Sequence, residues 1–200
     1  MQFPPHASSF QIALPGWVAA ELADVPDALP ERQHRVALVN RLAARNWREG
    51  NGGPFAALVA EAETGRIVAV GVNVVLSTGI TSGHAEVTAL GLAQARLGRW
   101  NLGAEGMPEH ELVVNWRPCV QCYGAAMWSG ITTLALAGSG DEVEELTTFD
   151  EGPMPENWAG EFERRGIRVL DGLAKEDALA VFREYRAALD AGKITVYNAR

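Results

Sequence analysis

An α/β fold is what this sequence predicts, a three-layer sandwich with helices on both faces of a mixed five-stranded central sheet. Three observations carry the prediction. Five short apolar runs alternate with longer stretches whose apolar residues recur at helical spacing. The first two runs are joined by a turn and read as a hairpin, while the later ones are separated by helices, the alternation of a layered α/β protein. Two hundred residues, 48% hydrophobic and 21% charged, are enough to bury a full core without disulfide staples.

Residues 1–30 hold six prolines or glycines and no sustained period, so they read as an irregular arm with a short helix at Trp17 to Ala23. Residues 31–200 read as one domain. Val36, Val39, Leu42, Ala43 and Trp47 share a face, which predicts a helix from Glu31 to Trp47, ended by "EGNGGPF". Phe55 to Ala60 and Arg66 to Val72 form the hairpin, with "TG" at its turn. "GVNVVLSTGITSG" reads as loop, and Thr81 or Ser82 is expected to cap the helix "HAEVTALGLAQARLG".

Leu112 to Asn115 is a short strand that ends at two cysteines. "VQCYGAAMWSG" is a helix closed by Gly130, with Trp128 expected in the core behind it, and Thr132 to Ala137 is the next strand. An acidic, Gly- and Pro-rich loop fills Gly138 to Asn157. A helix from Trp158 to Arg164, a strand from Ile167 to Leu170 and a final helix with Ala178, Phe182, Tyr185 and Leu189 on one face complete the chain.

Lys plus Arg number 17 and Asp plus Glu 25, a net charge of −8, which disfavours nucleic acid as a partner because affinity for a polyanion comes largely from basic residues. The apolar runs are all too short to span a membrane, and the N-terminal stretch lacks the pattern of a signal peptide, so a cytoplasmic protein is expected.

"NWRPCVQCYGAAMW" raises the chemical question, since Cys119 and Cys122 are the only cysteines in the chain. Two cysteines do not make a disulfide framework. A redox couple at a helix start and half of a metal site both remain open. Of the four histidines, His84 stands at a predicted helix start with Glu86 two residues on. A ligand set of His84, Cys119 and Cys122 would leave the fourth position of a zinc open to water, as catalytic sites do. Glu86 would then stand beside that water as a proton carrier. The pattern "HAE", a gap of 31 residues, then "PCVQC" is the H-x-E…P-C-x-x-C mark of zinc deaminases acting on bases.

On those motifs the chain resembles the zinc-dependent cytidine/deoxycytidylate deaminase superfamily, and within it the bacterial guanine deaminases and their nucleobase-deaminase relatives. "NGGPFAALV", "GVNVV", "SGHAEVTAL", "PCVQCYGAAMWSGI", "FDEGPMPENW" and the terminal "VYNAR" all carry the likeness. It implies a cytidine deaminase-like fold and zinc as cofactor. It further implies hydrolytic deamination of a small aminated heterocycle, guanine to xanthine plus ammonia first among them. By the same likeness Asn73 holds the ring edge, Glu151 is a second carboxylate that contacts the ring and assists proton transfer, and Phe55 and Phe149 line the pocket. Trp116 and Arg117 stand next to the metal ligands and are expected to face the substrate. Family members are homodimers, in some of which the C-terminal segment reaches the partner.

The resemblance departs at three places. Arg117 stands where the branch usually has glutamate, Gln121 replaces a commoner methionine, and "VEELTTF" is one residue longer than usual. These leave other free rings open as substrates, among them ammeline or another triazine, isoguanine, cytosine or a pterin-like ring. A tRNA adenosine deaminase and a non-catalytic zinc-containing base-binding protein are the further alternatives. The tRNA reading is opposed by the acidic balance and by a C-terminal helix whose only basic residues are Lys175, Arg183 and Arg186. Read from "DEVEELTTFDEG" alone, Glu151 would belong to a solvated acidic surface, and Asn73 alone would be a turn residue.

Overall fold

The computed structural model describes residues 7–198; the first six residues of the expected arm and the last two of "VYNAR" lie outside them. Five strands form one sheet in the order β2-β1-β3-β4-β5. They are β1 (Ala56–Glu61), β2 (Ile67–Val72), β3 (His110–Val114), β4 (Thr133–Leu136) and β5 (Arg168–Leu170). β1 pairs antiparallel with β2 and β3, while β3, β4 and β5 run parallel, so the sheet is mixed as expected. Every residue of β1, β3 and β4 is buried, which is why these runs are continuously apolar and do not alternate.

Two helical layers cover the sheet. On one face α2 (Arg32–Arg48) and α8 (Lys175–Asp190) bury Val36, Val39, Leu42, Ala178 and Phe182 against Leu58, Val113 and Ala135. On the other, α4 (Ala85–Leu97), α5 (Val120–Trp128) and α7 (Trp158–Glu163) bury Ala89, Ala126 and Phe162 against Ala57, Leu112 and Leu134. Side chains of β1 and β3 alternate between the two cores, the period of two that a sheet buried on both faces requires. At Gly71 a Cβ would stand 2.5 Å from the Ala89 nitrogen. Only a glycine lets α4 lie this close to β2.

The N-terminal helix α1 (Gly16–Leu22) matches the short helix expected in the arm; it buries Val18, and Ile12, Leu14 and Trp17 pack on the α2 and α8 core. Two further short helices appear where loop was expected, α3 (Val75–Thr78) and α6 (Glu142–Thr147). Each is little more than one turn and too short for a helical period to show. The cap of α4 also differs from expectation. Its N-cap is His84, without a side-chain cap bond, and neither Thr81 nor Ser82 reaches the helix end. Trp128 is not a core residue but 77% exposed. The buried face of α5 holds Cys122, Tyr123 and Ala126. Two residues beyond Ala126, at about 100° per residue, Trp128 points the other way.

Candidate active site

The residues expected to carry chemistry meet at one end of the sheet. β1 begins, and β2, β3 and β4 end, on the same edge, since Ala56 pairs with Val72, Ala57 with Val114, and Val114 with Leu136. In an α/β sheet the carboxyl ends of parallel strands are where the chain turns into helices and leaves a crevice. Two helices start here. His84 is the N-cap of α4 and Cys119 the N-cap of α5, and neither uses its side chain to cap. Their side chains are therefore free to converge. His84 Nδ1 lies 3.4 Å from Cys119 Sγ and 3.5 Å from Cys122 Sγ. All three donor atoms fall within 4.8 Å of one another. Two ligands of a tetrahedral zinc, with bonds of roughly 2.0 and 2.3 Å, stand about 3.5 Å apart, so one nitrogen and two sulfurs in this spacing fit the ion.

The electrostatics suit the same purpose. The Cys119 thiol is held down at about 4, by hydrogen bonding from Cys122 first and by His84 against the cost of burial. Burial instead pushes the Cys122 thiol well above its ordinary range. Burial pulls His84 down, but the Cys119 hydrogen bond and charge outweigh it and leave the imidazole raised. The two thiols thus compete for one negative charge, and a bound dication relieves that competition by making both thiolates. The N-termini of α4 and α5 favour anions at the same point.

Glu86 sits in the first turn of α4, 6% exposed, and burial pushes its carboxyl up to about 7, with the Cys119 charge adding to the shift. A carboxyl poised near neutrality can both take and give a proton. Glu151 is the second buried carboxyl, 7% exposed and pushed up to about 9, again chiefly by burial, with Arg117 pulling the other way. Its main chain is fixed at both ends, the carbonyl accepting the Val120 N–H at 3.0 Å and the N–H donating to Glu144 Oε1 at 3.1 Å. Val120 is the first residue of α5, so this bond also satisfies a helix-end donor that has no partner within the helix.

Asn73 follows β2 and is held by its backbone. Its carbonyl accepts from Asn46 Nδ2 at 2.8 Å, and its N–H donates to the Phe55 carbonyl at 3.1 Å. Asn73 Oδ1 accepts from the Val75 N–H and from the Tyr197 hydroxyl, at 3.2 and 2.6 Å. Asn73 is one of the residues that line the cavity. Phe55 and Phe149 meet edge to face at 5.6 Å, and Phe149 meets Tyr197 at 5.0 Å, giving an aromatic wall. Thr148, just before Phe149, has φ of 62°, the one non-glycine positive φ among the described residues. Trp116 is almost wholly buried, donating Nε1 to the Gly140 carbonyl at 3.1 Å and packing on Phe182 at 5.2 Å, with one edge on the cavity.

Two glycines pack tightly behind these cavity residues. A Cβ on Gly52 would run into the Asn73 side chain and stand 2.7 Å from its carbonyl oxygen, and one on Gly53 would stand 2.9 Å from the Phe149 ring. The cavity so enclosed measures about 590 Å³ and is lined by Phe55, Asn73, His84, Glu86, Trp116, Arg117, Cys119, Phe149 and Glu151, with Cys122 directly behind. The structure thus brings every sequence-identified site residue to one place. It adds Tyr197, whose hydroxyl also accepts from the Gly53 N–H at 2.9 Å, and the buried positioning residues Asn46 and Asn115. Asn115 ties β3 to the start of β1 through the Ala56 N–H and the Pro54 carbonyl.

Comparison with known proteins agrees with this geometry. A guanine deaminase from Nitrosomonas europaea superposes with a TM-score of 0.85 at 41% identity, over 91% of this chain and 98% of that one. The protein NE0047 in complex with 2,6-diaminopurine superposes at 0.84 and 42% identity, over 96% and 98%. The guanine deaminase of Bacillus subtilis (strain 168) is 35% identical over 88 residues, a stretch covering 44% of this chain and about half, 52%, of that relative. The family model for the cytidine and deoxycytidylate deaminase zinc-binding region matches residues 30–137, and the stretch contains His84, Glu86, Cys119 and Cys122. A match over more than half of the chain, on the residues that α4 and α5 bring together, makes this protein a member of the cytidine and deoxycytidylate deaminase family.

Proposed function

We propose that this chain is a guanine deaminase, which hydrolyses guanine at C2 to xanthine and ammonia. One observation carries the reading. A buried carboxyl beside the His–Cys–Cys cluster and a second buried carboxyl on the ring side share an aromatic slot. When bound at His84, Cys119 and Cys122, zinc lowers the pKa of a water and polarises it for attack.

The remaining steps belong to side chains. Phe55 and Phe149 orient the ring by stacking and edge contacts. Asn73 donates through Nδ2 to a ring acceptor, and Glu151 accepts a ring N–H through its carboxyl C=O oxygen. Glu86 takes one proton from the attacking water and gives it to the ring nitrogen next to C2. It then carries the second proton to the departing amine, so one water and one guanine become one xanthine and one ammonia. Burial raises the worth of each of these hydrogen bonds and the cost of leaving one unmade, which is how the site selects its ring. Trp116 acts here as support for the slot, through its bond to Gly140.

The test is ammonia release by the zinc-loaded protein from guanine, isoguanine, cytosine, ammeline and a pterin, with a tRNA anticodon stem alongside. Guanine turnover that disappears in Glu86→Gln with zinc retained supports the reading, and turnover of another ring alone replaces the substrate. Among the described residues no helix is long and apolar enough to cross a membrane. A cytoplasmic homodimer, whose tail near Tyr197 and Asn198 lies beside the partner, belongs to the same proposal. Sedimentation at working concentration tests the dimer.

A further inference from the structure

The other described arginines are accounted for. Among the described residues, Arg32, Arg35, Arg41, Arg45, Arg48, Arg66, Arg164, Arg165, Arg183 and Arg186 form ion pairs. Arg96 and Arg168 donate to a carbonyl and a hydroxyl. Arg99 is exposed and solvated. Arg117 is the exception. It is half-buried on the cavity wall, and its side chain makes no hydrogen bond or ion pair with any described residue. Its Nε is shut off from solvent without a partner. Its main chain, in contrast, is fixed by an N–H bond of 3.0 Å to the Gly138 carbonyl.

A guanidinium cannot shed its charge, and burying its donors unmatched is costly. Its neighbours in the cavity are suggestive. Gln121, on the first turn of α5, also lines the wall with a buried and unpaired Nε2. Glu151 lies close enough for Arg117 to act on its charge, yet the two form no hydrogen bond. The wall therefore presents an acceptor at Glu151 and unspent donors beside it. A planar Arg fork fits two adjacent acceptors, and an oxo group next to a ring nitrogen is such a pair, as in guanine O6 and N7. On the same ring the donors, N1–H and the 2-amino group, lie on the neighbouring edge.

We propose that Arg117 is a specificity-determining residue that reads the oxo and ring-nitrogen acceptor edge of the substrate, while Glu151 reads its N–H edge. The inference deepens the guanine reading and rests on it for the choice of ring. It assigns a task to the unmatched charge at position 117.

The test is equilibrium binding of guanine and 7-deazaguanine, which differ at the N7 acceptor, to zinc-loaded Glu86→Gln protein with and without Arg117→Met. With Arg117 present, guanine binds about 10- to 100-fold more tightly than its deaza analogue. With Arg117→Met the two bind within about threefold of each other, at unchanged zinc content, and Arg117→Lys lies between because it keeps charge but loses the fork. If the ratio is the same in all three proteins, Arg117 serves the thiolates or the fold and the proposal is overturned. Failure to bind guanine at all overturns it too. Binding governed by Arg117 without ammonia release from the Glu86-containing protein would sink the guanine deaminase reading and leave this one standing. Ammonia release with a ratio indifferent to Arg117 would do the reverse.

Discussion

At its first turnward end, β3 carries Glu111, fully buried, and two arginines of α2 close on it. Arg35 Nε reaches Glu111 Oε1 at 2.5 Å and Arg32 Nε reaches Oε2 at 3.0 Å, while Arg35 Nη1 donates to the Leu29 and Pro30 carbonyls. Just past the other end of the same strand stands Arg117, part-buried and unmatched. One strand thus holds a completed charge cluster at one end and an incomplete one at the other. The completed cluster pins the arm, α2 and the sheet together. The incomplete one lies where the strand opens into the cavity. Charges that the protein satisfies for itself serve the fold, and charges it leaves wanting are available to a ligand.

The comparison breaks if a site-end substitution costs stability or a far-end substitution changes chemistry. The largest effect is expected at Glu86. Glu86→Gln lowers kcat by at least about 1,000-fold, within the range for loss of a proton carrier, with zinc content and melting temperature held. Next is Glu111→Ala, which strands Arg35 in the interior and destabilises by about 3–5 kcal/mol in urea unfolding. The folded fraction should keep its KM. A Glu111→Leu, Arg35→Met double variant should recover most of that loss. Arg117→Met, in contrast, should leave the unfolding free energy in urea no lower than that of the parent, since it removes an unmatched guanidinium.

Chelation of zinc comes third. A ligand present at roughly a hundredfold over its dissociation constant contributes about 2.7 kcal/mol, so the melting temperature should fall by several degrees and return on readdition. Glu151 acts through pH. Its folded carboxyl is raised from 4.5 to about 9, so above pH 4.5 the folded chain keeps a proton that the unfolded chain has released. This contribution to stability is complete below about 4.5 and is lost as pH climbs toward 9. Glu151→Gln should flatten the decline of the urea midpoint between about pH 5 and 8.5; an unchanged slope would remove Glu151 from the account. Smallest of all, Trp128→Ser should shift stability by less than about 0.5 kcal/mol, since that ring lies in solvent.

The His84, Cys119 and Cys122 cluster and its neighbour Glu86 were legible because their spacing is local and chemically narrow, a pair two residues apart at one helix start and a pair three apart at another. The strands were legible because sheet strands buried on both sides are plain apolar runs. Trp128 misled because an aromatic at a helix end has no periodic context to say which face it takes. Glu151 lies within an acidic stretch, and main-chain bonds to the Val120 N–H and to Glu144 Oε1 fix its place in the site. Tyr197 was beyond reach for a related reason, since 124 residues separate it from the Asn73 it touches. His84 shows a different limit. The helix start was foreseeable, but the residue that caps it is the one whose side chain is needed elsewhere.

The crowding at Gly52 and Gly53 has a bearing on how such a site changes over generations. Any side chain at either position collides with Asn73 or with the Phe55 and Phe149 rings. That corner is a fixed jaw, closed to gradual remodelling. The part of the cavity lined by Arg117, Gln121, Gly152 and Pro153 is made of half-buried side chains and a loop. New ring preferences in this scaffold are therefore acquired from one side only, and a lineage of such enzymes should record its substrate history in that wall while the jaw stays silent.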